Sequence, residues 1–209
     1  MTFEAERAAL VRTLEQAGIK DRRVLEAIGR VPRERFMPPE QSAFAYVDRA
    51  APIGEGQTIS QPYVVARMTE LLDPRPTDHV LEVGCGSGYQ AAVLAEVVGD
   101  VVSVERHGTL AEAAAARLRE LGYANVRVVH DDASIGYAPE APYDKVLVTA
   151  AAPFIAHELI EQCKPSGRIV APVGDREAQE LVVRHGDGRV ERAGGVKFVP
   201  LIGRAGWDR

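Results

Sequence analysis

Val80-Leu81-Glu82-Val83-Gly84-Cys85-Gly86-Ser87-Gly88-Tyr89-Gln90 is an apolar run that breaks into alternating glycines and resumes as helix-compatible sequence. A strand entering a glycine loop that opens a helix is the turn around which open α/β sheets bind nucleotide-like ligands. Glycine supplies backbone torsions other residues resist and lets a ligand approach the main chain. The dinucleotide fingerprint G-x-G-x-x-G is not met, because Tyr89 stands where the third glycine would fall. Glu82, two residues ahead of Gly84, is expected to set a carboxylate beside the loop, repelling a phosphate and attracting an ammonium group.

Downstream, short valine-rich runs alternate with helical stretches, the signature of βαβ units around a parallel sheet. Strands are expected at residues 79–83, 101–105, 126–130, 145–149, 168–172, 180–184 and 196–201, and helices at 89–98, 109–121 and 155–163. Pro165-Ser166-Gly167 should turn the chain into the fifth strand, and Gly186-Asp187-Gly188 should separate the last two in an antiparallel hairpin. Glu105 ends the second of these strands, where it can accept both hydroxyls of an adenosine ribose, and Asp131 follows the third, placed for an adenine amino group. Three carboxylates at the ends of successive strands are expected to converge on one crevice. A nucleotide-like cofactor bearing a cation and no phosphate fits it, and S-adenosyl-L-methionine is the common one.

Upstream, Phe3, Leu10, Val11 and Leu14 fall near helical spacing before Gly18, and Asp21 can cap a second helix carrying Val24, Leu25 and Ile28 that ends before Pro32. Pro32, Pro38, Pro39, Pro52, Gly54, Gly56 and Pro62 forbid long regular elements between them. The expected fold class is α/β, Rossmann-like, with a seven-stranded mainly parallel sheet, a terminal antiparallel hairpin and a helical N-terminal extension. Residues 1–209 read as one domain, helices and substrate-binding loops over 1–76 and the cofactor-binding α/β core over 77–209.

The 209 residues are 46% hydrophobic and 26% charged, enough to bury one substantial core. Thirty acidic against 25 basic residues give a formal net charge of −5, so no overall positive field collects phosphate backbones, and no nucleic acid partner is expected. No run approaches the length of a membrane span, the start Met1-Thr2-Phe3-Glu4-Ala5-Glu6-Arg7 lacks the pattern of a signal peptide, and Cys85 and Cys163 are too few for a disulfide framework. A cytoplasmic protein with no membrane partner is expected. No metal is expected either, since His157-Glu158-Leu159-Ile160-Glu161 ends in glutamate and the other histidines form no ligand cluster. Ser60 lacks a G-x-S-x-G elbow, which disfavours a serine hydrolase.

The run Ala51-Pro52-Ile53-Gly54-Glu55-Gly56-Gln57-Thr58-Ile59-Ser60-Gln61-Pro62 resembles the signature of the protein-L-isoaspartate O-methyltransferases, a family of class I methyltransferases. Met68-Thr69-Glu70-Leu71-Leu72, the glycine loop through Leu94, Glu140-Ala141-Pro142-Tyr143-Asp144, Thr149-Ala150-Ala151-Ala152-Pro153 and Phe198-Val199-Pro200-Leu201 resemble that family in the same order. The resemblance implies methyl transfer from S-adenosyl-L-methionine, with S-adenosyl-L-homocysteine as product, to the α-carboxylate of L-isoaspartyl residues in damaged peptides and proteins. The ester then closes to a succinimide, whose hydrolysis returns some normal aspartate. A monomer is expected.

The resemblance also implies roles. Ser60 is the candidate catalytic residue, a hydroxyl donor that orients the carboxylate; before Pro62 it equally suits a helix N-cap. Cofactor contacts are expected from Glu82, Gly84, Cys85, Gly86, Ser87, Gly88, Gln90, Glu105, Arg106, Asp131 and Asp132, with Thr58 and Gln61. Substrate contacts are expected from Ile53, Gln57, Ile59, Ser60, Val199 and Leu201; ordinary core packing is an equal reading for Ile53 and Ile59. Where the family shows Gly-Asp-Gly, this chain has His130-Asp131-Asp132. A carboxylate other than isoaspartate as acceptor, a non-catalytic module for altered peptides, and a nicotinamide-dependent dehydrogenase are the rival readings.

Overall fold

A computed structural model describes residues 2–208. Helix α1 (Phe3–Gln16) starts on Thr2, whose hydroxyl accepts the Ala5 N–H, and Gly18 follows its end at φ +104°. Helix α2 (Arg22–Arg30) is capped by Asp21, whose carboxylate accepts the Arg23 N–H at 2.9 Å. Short 3-10 turns at Arg33–Phe36 and Pro39–Phe44 occupy the proline-dense segment. An unforeseen antiparallel hairpin follows, β1 (Ala51–Gly54) with β2 (Gln57–Ile59), its tip carried by Glu55 and Gly56 at positive φ. Helix α3 (Pro62–Leu72) leads into the sheet.

The remaining elements alternate as the valine runs foretold: β3 (His79–Val83), α4 (Tyr89–Ala95), β4 (Asp100–Glu105), α5 (Gly108–Glu120), β5 (Val126–His130), β6 (Tyr143–Val148), α6 (His157–Gln162), β7 (Cys163–Gly174), β8 (Gln179–His185) and β9 (Val190–Val196). Their order in the sheet is β5-β4-β3-β6-β7-β8-β9, parallel from β5 to β7 and antiparallel beyond. Val80, Val101, Leu147 and Val170 point into a core with α1 to α4, while Leu81, Val102, Val146 and Ile169 point into a second core with α6. A parallel sheet covered on both faces is why these strands read as continuous apolar runs.

Two expectations need correction. Pro165-Ser166-Gly167 does not precede a strand: β7 already pairs at Cys163 with Tyr143 and again at Arg168 with Lys145, so these residues form a bulge within it. The last strand is 190–196, not 196–201. The tight turn closed by Gly188 N–H to the His185 carbonyl at 2.9 Å forces pairing to resume at once, along an edge exposed on both faces and therefore without apolar alternation. The apolar run at 198–201 instead crosses to the end of β6, where Ala151 N–H donates to the Val199 carbonyl and Leu201 N–H to the Ala151 carbonyl.

Candidate active site

At the carboxyl ends of β3, β4 and β6 lies a narrow crevice, about 60 Å³ of which would admit water. It is lined by Gln57, Thr58, Ile59 and Ser60 at the end of the β1–β2 hairpin, by Gly84, Cys85, Gly86 and Ser87 of the glycine loop, and by Gln90, Glu105 and Val199. These eleven expected residues are brought together by the fold. Tyr89, Val65, Thr149 and Ala150 also line it and were not assigned from sequence, although Tyr89 and Thr149 stand inside the quoted motifs.

The loop is shaped by two close approaches. Gly84 has φ +100°, and a Cβ there would lie 2.7 Å from Thr149 Oγ1, which hydrogen-bonds the Val83 or Gly84 carbonyl. Gly86, at φ +54°, turns its N–H to Glu105 Oε2 at 2.8 Å, and the other oxygen of Glu105 accepts the His107 N–H at 2.9 Å. Glu105 is 5% exposed, and its remaining lone pairs can face the crevice.

The β1–β2 hairpin lies over this loop. Ile53 Cδ1 sits 3.5 Å from where a Gly86 Cβ would stand, so Ile53 packs on the glycine turn and does not line the crevice. At the tip, Glu55 Oε1 accepts the Thr109 hydroxyl at 2.8 Å and Glu55 Oε2 is 3.7 Å from His107 Nδ1. The hairpin is thereby latched to the start of α5.

Ser60 is half-buried, and its hydroxyl has no hydrogen-bond partner among the described residues. It does not cap α3. Asp48 does: its Oδ1 accepts the Tyr63 N–H and its Oδ2 the Gln61 side-chain amide, both at 2.8 Å. Gln61 is thus turned away from the crevice, contrary to expectation, and the Ser60 hydroxyl is left free. Gln90 reaches Thr69 Oγ1 at 3.0 Å, which fixes the first turn of α4 against α3.

Glu82 is corrected in place and in charge. It is fully buried beneath the loop, accepts the Ser103 hydroxyl with one oxygen and has no partner for the other. Burial pushes its pKa up to about 8, so at neutral pH it is a neutral acid and not the anion the sequence suggested. Burial, and secondarily Glu82, also pushes the Cys85 thiol well up, leaving no thiolate.

Five more residues fall outside the crevice. Asp131 is exposed and accepts the Asp132 N–H at 2.7 Å. Asp132 binds Ser134 through Oδ1 and the Arg204 N–H through Oδ2 at 2.9 Å; partial burial acts upward on its pKa, yet these donors hold it below the usual carboxylate range. The Arg106 carbonyl meets His130 Nε2 at 3.2 Å, and Leu201 is buried in the second core. Gly88, at φ +88°, backs onto Ala114 and Leu118 of α5, giving the loop its close helix packing.

A family model described as protein-L-isoaspartate(D-aspartate) O-methyltransferase (PCMT) matches residues 5–206. The chain belongs to this family. A protein-L-isoaspartate O-methyltransferase of Methanoregula boonei is 54% identical over 194 residues, covering 91% of this chain and 89% of that protein. A solved protein-L-isoaspartate O-methyltransferase superposes with a TM-score of 0.85 at 29% identity, covering 96% of this chain and 67% of the other. A Plasmodium falciparum structure described as a putative member in complex with S-adenosyl-L-homocysteine has a TM-score of 0.80 at 22% identity, over 94% of this chain and 98% of that one. In this methyltransferase the crevice lining, among the described residues, holds one carboxylate and no lysine or arginine. That donor set suits a sulfonium cofactor with a ribose diol and would leave phosphates uncompensated. Arg117 of α5, a guanidinium that reaches the loop, donates to the Ser87 carbonyl at 2.8 Å.

Proposed function

We propose that this crevice aligns the α-carboxylate of an L-isoaspartyl residue for S-adenosyl-L-methionine-dependent methylation, with Ser60 as the donor that orients it. The activity is that of the family, a protein carboxyl O-methyltransferase acting on isomerised aspartate. What supports the role of Ser60 is its unpartnered hydroxyl in the crevice that the glycine loop and Glu105 also line.

A carboxylate with an ordinary pKa near 4 is ionised at neutral pH and needs no general base, so the protein's work is positioning. When bound, the cofactor supplies an electrophilic methyl on a sulfonium, whose transfer to oxygen leaves a neutral thioether. Glu105 would accept the ribose hydroxyls while keeping Gly86 in its turn. The backbone of Gly84 to Ser87 would pass close beneath the cofactor, and Thr58 would flank it. Asp131, at the sheet edge, would accept from an adenine amino group with the oxygen that the Asp132 N–H leaves free. Ile59 and Val199 would exclude water from the reacting oxygen, and Gln57 would meet the peptide. In this division residues 1–76 furnish much of the substrate side and 77–209 the cofactor side.

The protein is proposed to act as a cytoplasmic monomer on peptides and proteins; among the described residues no helix is long and apolar enough to cross a membrane. The test is transfer of labelled methyl to a peptide containing L-isoaspartate beside the same peptide with aspartate. Base-labile label on the isomerised peptide alone supports the reading. Label on neither, with cofactor bound, refutes it in favour of another acceptor or a binding module.

A further inference from the structure

Beside α3, between its outer face and the β8–β9 edge, runs a second cleft of about 740 Å³. Lys20, Arg67, Arg168 and Arg189 line it against Glu70 and Glu191, four positive charges to two negative on a chain whose formal net charge is −5. The carboxylates are already committed. Glu70 Oε1 accepts the backbone N–H groups of Lys20 and Asp21 at 2.6 and 2.9 Å, and its Oε2 accepts from Arg67 at 2.8 Å. Glu191 is shared by His185, at 3.0 Å, and Arg189, while Asp73 reaches Arg168 only at 3.6 Å. The Lys20 ammonium has no partner among the described residues. His185 registers the resulting potential: burial first, then Arg189 and Arg168, hold its imidazole below the usual range.

The cleft also lies along the helix that begins just after Ser60. Tyr63 lines it three residues after Ser60, and Leu71 lines it at the far end of α3. At about 1.5 Å per residue, α3 carries the groove roughly 12 Å from Tyr63 to Leu71. An extended peptide advancing about 3.4 Å per residue covers that in about four residues. We propose that this cationic groove docks acidic residues flanking the isoaspartate of a polypeptide substrate. Charge complementarity and the start of α3 two residues after Ser60 select that occupant, and Tyr63, Leu71 and Val183 add apolar lining.

The proposal rests on the isoaspartyl activity, and the test separates the two. Isoaspartyl peptides with neutral flanks are compared with peptides carrying four glutamates on either side. Wild-type protein is set against Lys20→Gln/Arg67→Gln/Arg189→Gln, none of which touches the crevice. The expected result is a KM about five- to tenfold lower for an acidic peptide at low salt, with kcat unchanged, each lost contact being of surface ion-pair strength. The gain should vanish in the triple variant, and at about 1 M salt, where screening acts over roughly 3 Å, while neutral-peptide kinetics stay the same. Equal KM for acidic and neutral peptides in the wild type overturns the proposal, as does a preference that survives in the variant. If the triple variant loses neutral-peptide activity, Arg189→Gln alone is scored by the same criteria. If wild-type protein methylates neither peptide, the activity reading fails, and fluorescence anisotropy of the labelled acidic peptide still decides the groove.

Discussion

Gly86 gives its backbone N–H to Glu105 Oε2 at 2.8 Å, so the carboxylate proposed to receive the cofactor ribose is also the strut that holds the glycine turn. Glu105→Ala should therefore weaken cofactor binding twice over, by removing an acceptor and by loosening the loop. Titration calorimetry with S-adenosyl-L-homocysteine should show Kd raised roughly 10- to 100-fold, in keeping with hydrogen bonds to a charged group. Turnover at saturating cofactor should change far less.

Ser60 and Asp48 separate chemistry from folding. Ser60→Ala should lower kcat/KM for isoaspartyl peptide about tenfold or more, with cofactor Kd and Tm unchanged, because the helix cap lies elsewhere. Asp48→Ala should cost about 1 kcal/mol of stability, read in a urea melt. A Ser60→Ala protein as destabilised as Asp48→Ala would contradict both assignments.

Glu82 makes stability fall as pH rises. Its folded pKa of about 8 lies above the ordinary value of 4.5, so between these values the folded state holds a proton that the unfolded state has released. Through that window the wild type should lose of order a few kcal/mol relative to Glu82→Gln, with the difference constant below and above it. Paired urea melts from about pH 5 to 9 would show the two curves converging in acid and parting in base.

Glu55 governs access. Its contacts with Thr109 and His107 fix the hairpin over the loop that lines the crevice. Glu55→Ala should release S-adenosyl-L-homocysteine several-fold faster in stopped-flow displacement, consistent with losing one or two partly exposed contacts. An unchanged release rate would show that this latch does not gate the site.

The parallel strands were legible because burial on both faces favours runs of valine, leucine and isoleucine, as in Val80-Leu81 and Val101-Val102. Strand β9 was illegible for the opposite reason, since Val190-Glu191-Arg192 faces water on both sides and bears no periodic mark. The β1–β2 hairpin hid because strands this short, set among prolines, carry no pattern. In the site, Glu105 and the glycine turn follow from local rules of strand, turn and helix. Asp48 caps a helix from beyond an intervening hairpin, and the charge of Glu82 depends on neighbours in β4 and β6, so neither could be read along the chain. Asp132 sits where family glycines do, and its use became visible only with the Arg204 segment folded against it.

The turn that joins β8 to β9 contains the sequence Asp187-Gly188, the pairing of residues in which a backbone nitrogen most readily attacks the preceding carboxyl group. Here Gly188 N–H is spent on the His185 carbonyl, and Asp187 Oδ1 on the Arg189 N–H at 2.9 Å. The two groups that would have to meet are each held by another partner. A chain whose task is to reverse the ageing of aspartate thus keeps one of its own most vulnerable peptide bonds in a conformation that resists it.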